Sequence, residues 1–190
     1  NNRKTEDESK RYYAQVNENA VYINENSANI TYQNKPGETT DATPSKKNVY
    51  TYGIDLTKNG DKSADADGLD GAEFTLAAAN GEMISILVNG TKVDVNGNSK
   101  DKFRTTTVGN KKGKLVFKGL KAGTYTLTET KSPSGYSLAK NPITIVITAN
   151  EDGSLKDATV DGTSVKENVE NGVVPVGLQN RSGFNLPATG

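Results

Sequence analysis

The sequence predicts an all-β protein, a sandwich of two packed β-sheets. Apolar and polar residues alternate along many short stretches, which is the period of a β-strand, whereas helical periodicity is nearly absent. Asn-Gly and Asp-Gly pairs, which suit the positive φ angles of tight hairpins, separate these stretches. They lie at 59–60, 67–68, 80–81, 89–90, 96–97, 152–153, 161–162 and 171–172. Short strands with closely spaced turns favour a sandwich or a barrel.

Composition divides the chain into four parts. Residues 1–34 hold few strands, too few for a stable sheet, and are assigned to the C-terminal strands of a preceding β domain, or to strands that dock on the main one. Residues 35–48 contain two prolines and no aliphatic side chain longer than Ala, so they predict a linker. Residues 49–183 form the main domain, and 184–190 form an exposed tail.

Within the main domain, each predicted strand is rich in β-branched and aromatic residues or alternates apolar with polar ones, and turn residues bound it. The predicted strands are 49–58, 72–79, 83–88, 103–108, 114–118, 123–130, 143–149, 156–160 and 173–180.

The composition excludes several classes of function. The 190 residues carry 23 Lys and Arg against 23 Asp and Glu, and this balance argues against nucleic acid and anionic membranes as partners. His and Cys are both absent. This absence excludes thiol nucleophiles, disulfides, Cys/His zinc sites and His-based triads, and we expect no metal and no other cofactor. No apolar run approaches the ~20 residues that span a membrane.

In three predicted strands the apolar face runs into a polar residue: Lys58, Glu129 and Asn180. A polar residue in this position can simply mark where a strand leaves the core. The alternative is that all three point inward, which is costly for each one alone. The apolar residues that precede them on the same faces are Tyr50, Tyr52, Ile54 and Leu56; Tyr125 and Leu127; and Val174, Val176 and Leu178.

Brought together in a core, these three side chains predict a chemical reaction. A desolvated lysine becomes a neutral amine, which is a nucleophile. Burial favours the protonated form of a carboxyl group, so Glu129 would polarise the Asn180 carboxamide and shuttle protons. The product is an amide between Lys58 and Asn180, formed with loss of ammonia.

Three motifs in a fixed order carry a resemblance to a known family. Residues 123–136 read GTYTLTETKSPSGY, which resembles the E-box strand of the collagen-adhesin B-type domains of Gram-positive pilins and adhesins. Residues 54–58 followed by 71–76 are similar to the first two strands of that family, and residues 178–180 are similar to its last strand. The resemblance covers roughly residues 48–183.

The resemblance implies an inverse immunoglobulin-like sandwich and a self-formed bond between Lys58 and Asn180, assisted by Glu129. It implies no enzyme activity beyond this reaction of the chain with itself. One departure is Asn59-Gly60, which follows the lysine where the family more often continues the strand.

A second motif lies in the tail. Leu186, Pro187, Ala188, Thr189 and Gly190 match the Leu-Pro-x-Thr-Gly sorting motif of sortase substrates, whose proline fixes an extended segment for a cleft to grip. The match implies cleavage after the threonine and transfer to an amine. The expected partners are sortase and either neighbouring pilin subunits or peptidoglycan. The protein would be secreted and anchored in the cell wall or a pilus, with membrane contact only through a precursor segment beyond this sequence.

Asn34 repeats the logic of Asn180, because it shares a face with Ala28, Ile30 and Tyr32. This pattern resembles the last strand of a preceding pilin domain, and Asn34 would accept a bond from a lysine upstream of Asn1. An ordinary polar strand end is the alternative.

The acids in residues 61–73 form a further candidate site. Their oxygens are ligands of the kind that Ca²⁺ takes, but their spacing does not fit the twelve-residue EF-hand loop. A solvated loop is the better interpretation. The acids are Asp61, Asp65, Asp67, Asp70 and Glu73.

The sequence therefore predicts the C-terminal part of a covalently assembled pilus shaft subunit. The alternative is a wall-anchored adhesin that binds a host ligand and uses this domain as a stalk. A third class, a secreted hydrolase with a stalk domain, would need an upstream catalytic domain. A shaft subunit also needs a polymerising lysine, which the family places upstream of the region that this sequence covers.

Overall fold

The computed structural model describes residues 22–28, 31–35, 37–41, 45–81, 84–95 and 101–183. These residues form strands and two single 3-10 turns at Ser63–Asp65 and Lys166–Asn168, which confirms the all-β prediction. No helix in the described ranges has the length and apolar character needed to cross a membrane. The strands are β1 (Ile23–Ala28), β2 (Thr31–Lys35), β3 (Glu38–Asp41), β4 (Ser45–Tyr50), β5 (Tyr52–Gly60), β6 (Glu73–Ala78), β7 (Ile84–Val88), β8 (Thr91–Val95), β9 (Phe103–Arg104), β10 (Thr106–Val108), β11 (Lys111–Leu120), β12 (Gly123–Lys131), β13 (Ile143–Ala149), β14 (Leu155–Val160), β15 (Thr163–Ser164) and β16 (Val173–Asn180).

Two six-stranded sheets make up the main domain. The first sheet has the order β16-β5-β11-β7-β8, and β10 also pairs with β11. The second sheet has the order β15-β14-β13-β12-β6-β9. Their apolar faces share one core, in which Ile54, Leu56 and Phe117 of the first sheet and Phe74 and Leu127 of the second are fully buried. Strand alternation accounts for this arrangement, because every second side chain points between the sheets.

The first and last strands of the domain lie side by side. β5 runs parallel to β16 on one side and antiparallel to β11 on the other. Leu178 pairs with Lys58 in the parallel register, and Asn180 pairs with Gly60. The carboxyl ends of β5 and β16 therefore meet at one edge of the first sheet.

Two of the predicted turns join paired strands, and another prediction is wrong. Asn89-Gly90 and Asp161-Gly162 join β7 to β8 and β14 to β15, and the φ angles of all four residues are positive, as such tight turns require. Asn59-Gly60 instead continues β5, because pairing with Gln179 and Asn180 of β16 extends the strand. Asn96-Gly97 lies outside the described residues.

The described residues within 35–48 form strands, although the composition of this segment favours an irregular connection. They contain β3 and part of β4, which pair with β2 and β1 as two antiparallel ribbons. Tyr22, just before β1, docks on the main domain through ring contacts to Tyr50 and Tyr52, with centroids 5.3 and 5.7 Å apart. Thr51 N–H also donates to the Tyr22 carbonyl at 3.0 Å. The division of the chain into four parts stays a prediction.

Gly113 in β11 packs against the strand that carries Lys58, and replacing it with alanine should destabilise the fold. Its φ is +68°, and an added Cβ would lie 2.4 Å from the Lys58 carbonyl oxygen and 2.6 Å from the Leu69 nitrogen. We expect Gly113→Ala to cost about 3 kcal/mol or more in unfolding free energy. Gly109→Ala is the control, because φ there is +60° but nothing lies within 4 Å; it should cost about 1–2 kcal/mol. Denaturant unfolding measures both, and equal losses would contradict the steric argument.

Candidate functional site

Three polar side chains lie between the two sheets, at one end of the core. Lys58 comes from β5, Asn180 from β16 and Glu129 from β12 of the opposite sheet. Their exposed fractions are 0%, 2% and 5%, in that order. Strand alternation predicts that these side chains point inward, and the structure brings all three to the same region of the core.

The Glu129 carboxyl group holds the Asn180 amide nitrogen. Asn180 Nδ2 donates to both Glu129 oxygens at 2.9 Å, and the backbone N–H of Ala139 donates to Oε2 at 2.7 Å. Glu129 therefore contacts the carboxamide, which strand alternation predicts it to polarise, through the nitrogen of that group. The physical reason is that the amide NH₂ supplies the donors that carboxyl oxygens accept.

Among the described residues, the hydrogen-bond partners of the Lys58 amine are uncharged. Nζ donates to the carbonyls of Asn59 at 2.9 Å and Leu178 at 3.3 Å. Burial lowers the pKa of Lys58 below its ordinary value, although the charges of Glu129 and Asp65 act in the opposite direction. Desolvation therefore favours the neutral amine, which is the nucleophilic form.

The Asn180 carbonyl oxygen is buried without a hydrogen-bond partner among the described residues. A buried acceptor of this kind is costly in a stable fold. The carboxamide is thus held by its nitrogen, while its carbonyl carbon stays next to the strand that carries Lys58.

Sequence reasoning missed two groups beside this site, Asp65 and Tyr136. Asp65 belongs to the 3-10 turn at Ser63–Asp65 and is only 8% exposed, so its assignment to a solvated acidic loop is wrong. Tyr136 O–H donates to Asp65 Oδ2 at 2.6 Å. The signal that could have found them is the Gly-Tyr pair at 135–136, which the E-box resemblance includes without a role.

The other predicted site residues are less fully described. The backbone of Asn34 lies in β2 at a register shift between Gln33 and Lys35. Its role as a bond acceptor stays a prediction. The sorting motif at 186–190 lies outside the described residues. Within the described ranges, no three His, Cys, Asp or Glu side chains group together in a way that could hold a metal ion.

The sequence of residues 53–163 matches the family model described as SpaA, a prealbumin-like fold domain. This range is more than half of the chain. The chain belongs to the SpaA family of prealbumin-like fold domains. Lys58 and Glu129 lie within the matched range of this SpaA domain, and Asn180 lies beyond it.

Solved structures that resemble the SpaA domain include three pilins. The pilus 2b backbone protein of group B streptococcus has a TM-score of 0.52 and 23% identity, over 83% of this chain and 54% of that chain. A C-terminal fragment of the major pilin of Streptococcus agalactiae has a TM-score of 0.53 and 23% identity, over 87% of this chain and 56% of that chain.

The third is a backbone pilin of Streptococcus pyogenes, with a TM-score of 0.50 and 20% identity, over 89% of this chain and 46% of that chain. This chain therefore spans about half the length of each of these solved chains, and the likeness shows a shared fold. No curated protein matches the sequence of the chain.

Proposed function

We propose that this chain is the C-terminal part of a covalently assembled pilus shaft subunit, which crosslinks itself through an amide between Lys58 and Asn180. The observation that carries the proposal is the buried trio itself. A desolvated amine, an asparagine and a glutamate that holds the asparagine nitrogen lie together in a core that consists mostly of apolar residues. The likeness of the fold to pilus backbone proteins supports the same reading.

The reaction begins with the neutral Lys58 amine. Its nitrogen attacks Cγ of Asn180, and a new Nζ–Cγ bond forms as the carbonyl oxygen takes up negative charge. Glu129 accepts one proton from the attacking nitrogen and passes it to Nδ2, which it already contacts through both oxygens at 2.9 Å. This contact places the proton donor at the leaving group.

The bond between Cγ and Nδ2 then breaks. Nδ2 leaves with its own two hydrogens and the transferred proton, as ammonia, and Glu129 returns to its initial protonation state. The product is an amide that keeps one hydrogen on the former lysine nitrogen. No oxidant, metal or cofactor takes part, and the close placement of the two reacting groups supplies the main advantage over the reaction in solution.

The tail completes the proposed role. Sortase would cleave between Thr189 and Gly190 and join Thr189 to an amine of a neighbouring pilin subunit or of peptidoglycan, so that the protein is secreted and displayed on the cell wall. The proposal rests here on the motif at 186–190 and on the fold.

Intact mass spectrometry of the folded protein tests the crosslink. We expect the mass to fall below the sequence mass by one ammonia, about 17 Da, because each amide formed expels one NH₃. Lys58→Ala should restore the full sequence mass. Lys114→Ala is the matched control, since Lys114 also contacts β5, through Asp55 and Thr57, but has no asparagine partner; it should keep the loss. An unshifted mass for the folded wild type would refute the bond.

A further inference from the structure

A second carboxylate lies at the end of the site, and a tyrosine holds it. Asp65 Oδ2 accepts hydrogen bonds from Tyr136 O–H at 2.6 Å and from the backbone N–H of Lys62 at 3.1 Å. The carboxylate raises the pKa of Tyr136 to about 12, so the hydroxyl keeps its proton and donates at any physiological pH. This bond is short and charge-assisted, which makes it one of the stronger hydrogen bonds in the domain.

The pair sits over Gly60, which is the partner of Asn180 in the parallel ladder. A Cβ at Gly60 would lie 2.2 Å from Asp65 Oδ2 and 2.6 Å from Tyr136 Cε1. The absence of a side chain at this position therefore makes room for both groups at the end of β5, where β5 meets the acceptor residue.

The loop that carries Tyr136 also reaches the rest of the site. Ala139 N–H binds Glu129, and Ser137 N–H donates to the Arg181 carbonyl at 2.9 Å. Tyr136 forms a β-bridge with Ser182. Residues 136–139 thus contact the chain on the C-terminal side of Asn180 as well as the group that holds the Asn180 nitrogen.

Asp65 is positioned to act on the lysine. The titratable groups that face Lys58 are Glu129 from β12 and Asp65 from the 3-10 turn. Other polar contacts of its amine are backbone carbonyls. An ionised Asp65 without a partner would be a nearby negative charge in a buried region, and such a charge stabilises the ammonium form of a lysine.

We propose that Tyr136 and Asp65 are positioning residues for the condensation of Lys58 with Asn180: Tyr136 keeps the Asp65 carboxylate engaged, and together they close the end of the site over Gly60. The inference rests on the proposed function. In this role the two residues control the protonation state of the Lys58 amine, which is separate from the proton transfer by Glu129. Lys62, whose Nζ lies 5.6 Å from the centre of the Tyr136 ring, stands on the outer side of the pair.

The test follows the reaction from the unfolded chain. Protein recovered from inclusion bodies and kept in denaturant, which still has its full sequence mass because it has never folded, is diluted into a series of buffers from mildly acidic to mildly basic. Samples are quenched at intervals and weighed intact, and circular dichroism follows folding in parallel. Tyr136→Phe removes the hydroxyl and keeps the ring. We expect it to lose ammonia about tenfold more slowly at neutral pH, with the rising limb of the rate moved about one pH unit higher.

The direction of the expected pH shift follows from the charges around Lys58. Without the Tyr136 hydroxyl, the Asp65 charge acts more strongly on Lys58 and raises the pH at which the amine becomes neutral. Adding Asp65→Asn to Tyr136→Phe removes that charge and should return the rising limb to its wild-type position or to a lower pH, because Asp65 also raises the pKa of Lys58 in the wild type. Tyr52→Phe is the control, because it removes a buried hydroxyl that donates to Gly153 at the opposite end of β5; its pH profile should match the wild type.

Each outcome decides the question. A Tyr136→Phe profile that matches the wild type would overturn the inference and leave the crosslink standing. Slowing by one factor at every pH, without recovery in the double variant, would also overturn it, because this result indicates a structural effect alone. A wild type that folds without losing ammonia would remove the proposed function, and the inference with it.

Discussion

Lys58→Met should melt roughly 10–25 °C below the wild type, which is the largest stability effect that we expect for a single substitution in this domain. Methionine fills most of the space of the fully buried lysine and removes the amine. In the wild type, the bond that this substitution removes would close a loop on the order of 120 residues. In the chain-entropy model, a crosslink of that span removes about 4–5 kcal/mol of freedom from the unfolded chain, out of a typical total stability of about 5–15 kcal/mol.

Differential scanning calorimetry of the wild type, Lys58→Met and Lys114→Met separates the crosslink from the loss of a lysine. Lys114 pairs with Asp55 on the outer face of the first sheet, so its replacement removes an ion pair but no crosslink and should cost about 1–3 kcal/mol, less than the bond. If the wild type has lost ammonia but melts at the same temperature as Lys58→Met, the proposed stabilising role of the bond is wrong.

Glu129→Gln should slow bond formation by about 10²–10⁴-fold, because glutamine has nearly the same shape and cannot carry the proton to the leaving nitrogen. Glu129→Ala should do the same and leave the all-β fold recognisable by circular dichroism. The measurement is the fraction of chains that lack one ammonia after a fixed folding time.

Glu73→Gln is the matched control for the glutamate. Glu73 begins β6 of the same sheet and binds Arg104 at the surface, at 2.9 Å, away from the buried trio. Its replacement should leave the reaction unchanged. Complete crosslinking in Glu129→Ala would contradict the proposed role of Glu129 in proton transfer.

Alternation along the strands made much of this arrangement predictable. Lys58, Glu129 and Asn180 each continue an apolar face, and a period of two residues fixes the side of the sheet to which they point. Their mutual contacts depend on which strands are neighbours in the sheets. Alternation along a single strand carries no information about that. The resemblance to the collagen-adhesin B-type family grouped the three residues in one site, and the structure places Asn180 in contact with Glu129.

The parts that sequence reasoning missed depend on tertiary contacts. Asn59-Gly60 has the composition of a turn, but ladder hydrogen bonds to β16 hold it extended. Asp65 lies among other acids in the chain and looks solvated until the fold places Tyr136 over it. Residues 35–48 look like a linker because Thr, Ser and Lys suit exposed ribbons as well as loops. In the first two cases the partner is distant in sequence, and local composition carries no information about it.

The parallel pairing of β5 with β16 also determines how the domain bears tension. Tyr52 begins β5 and Asn180 ends β16, so the chain enters this pair of strands at one end and leaves it at the other. A pull on the two termini then acts along the strands in shear, and the hydrogen bonds between them are loaded together instead of opening one after another. A covalent link from Lys58 to Asn180 would carry the load straight across this pair, and the residues between them would carry none. The domain would then behave as an inextensible link in a chain of subunits.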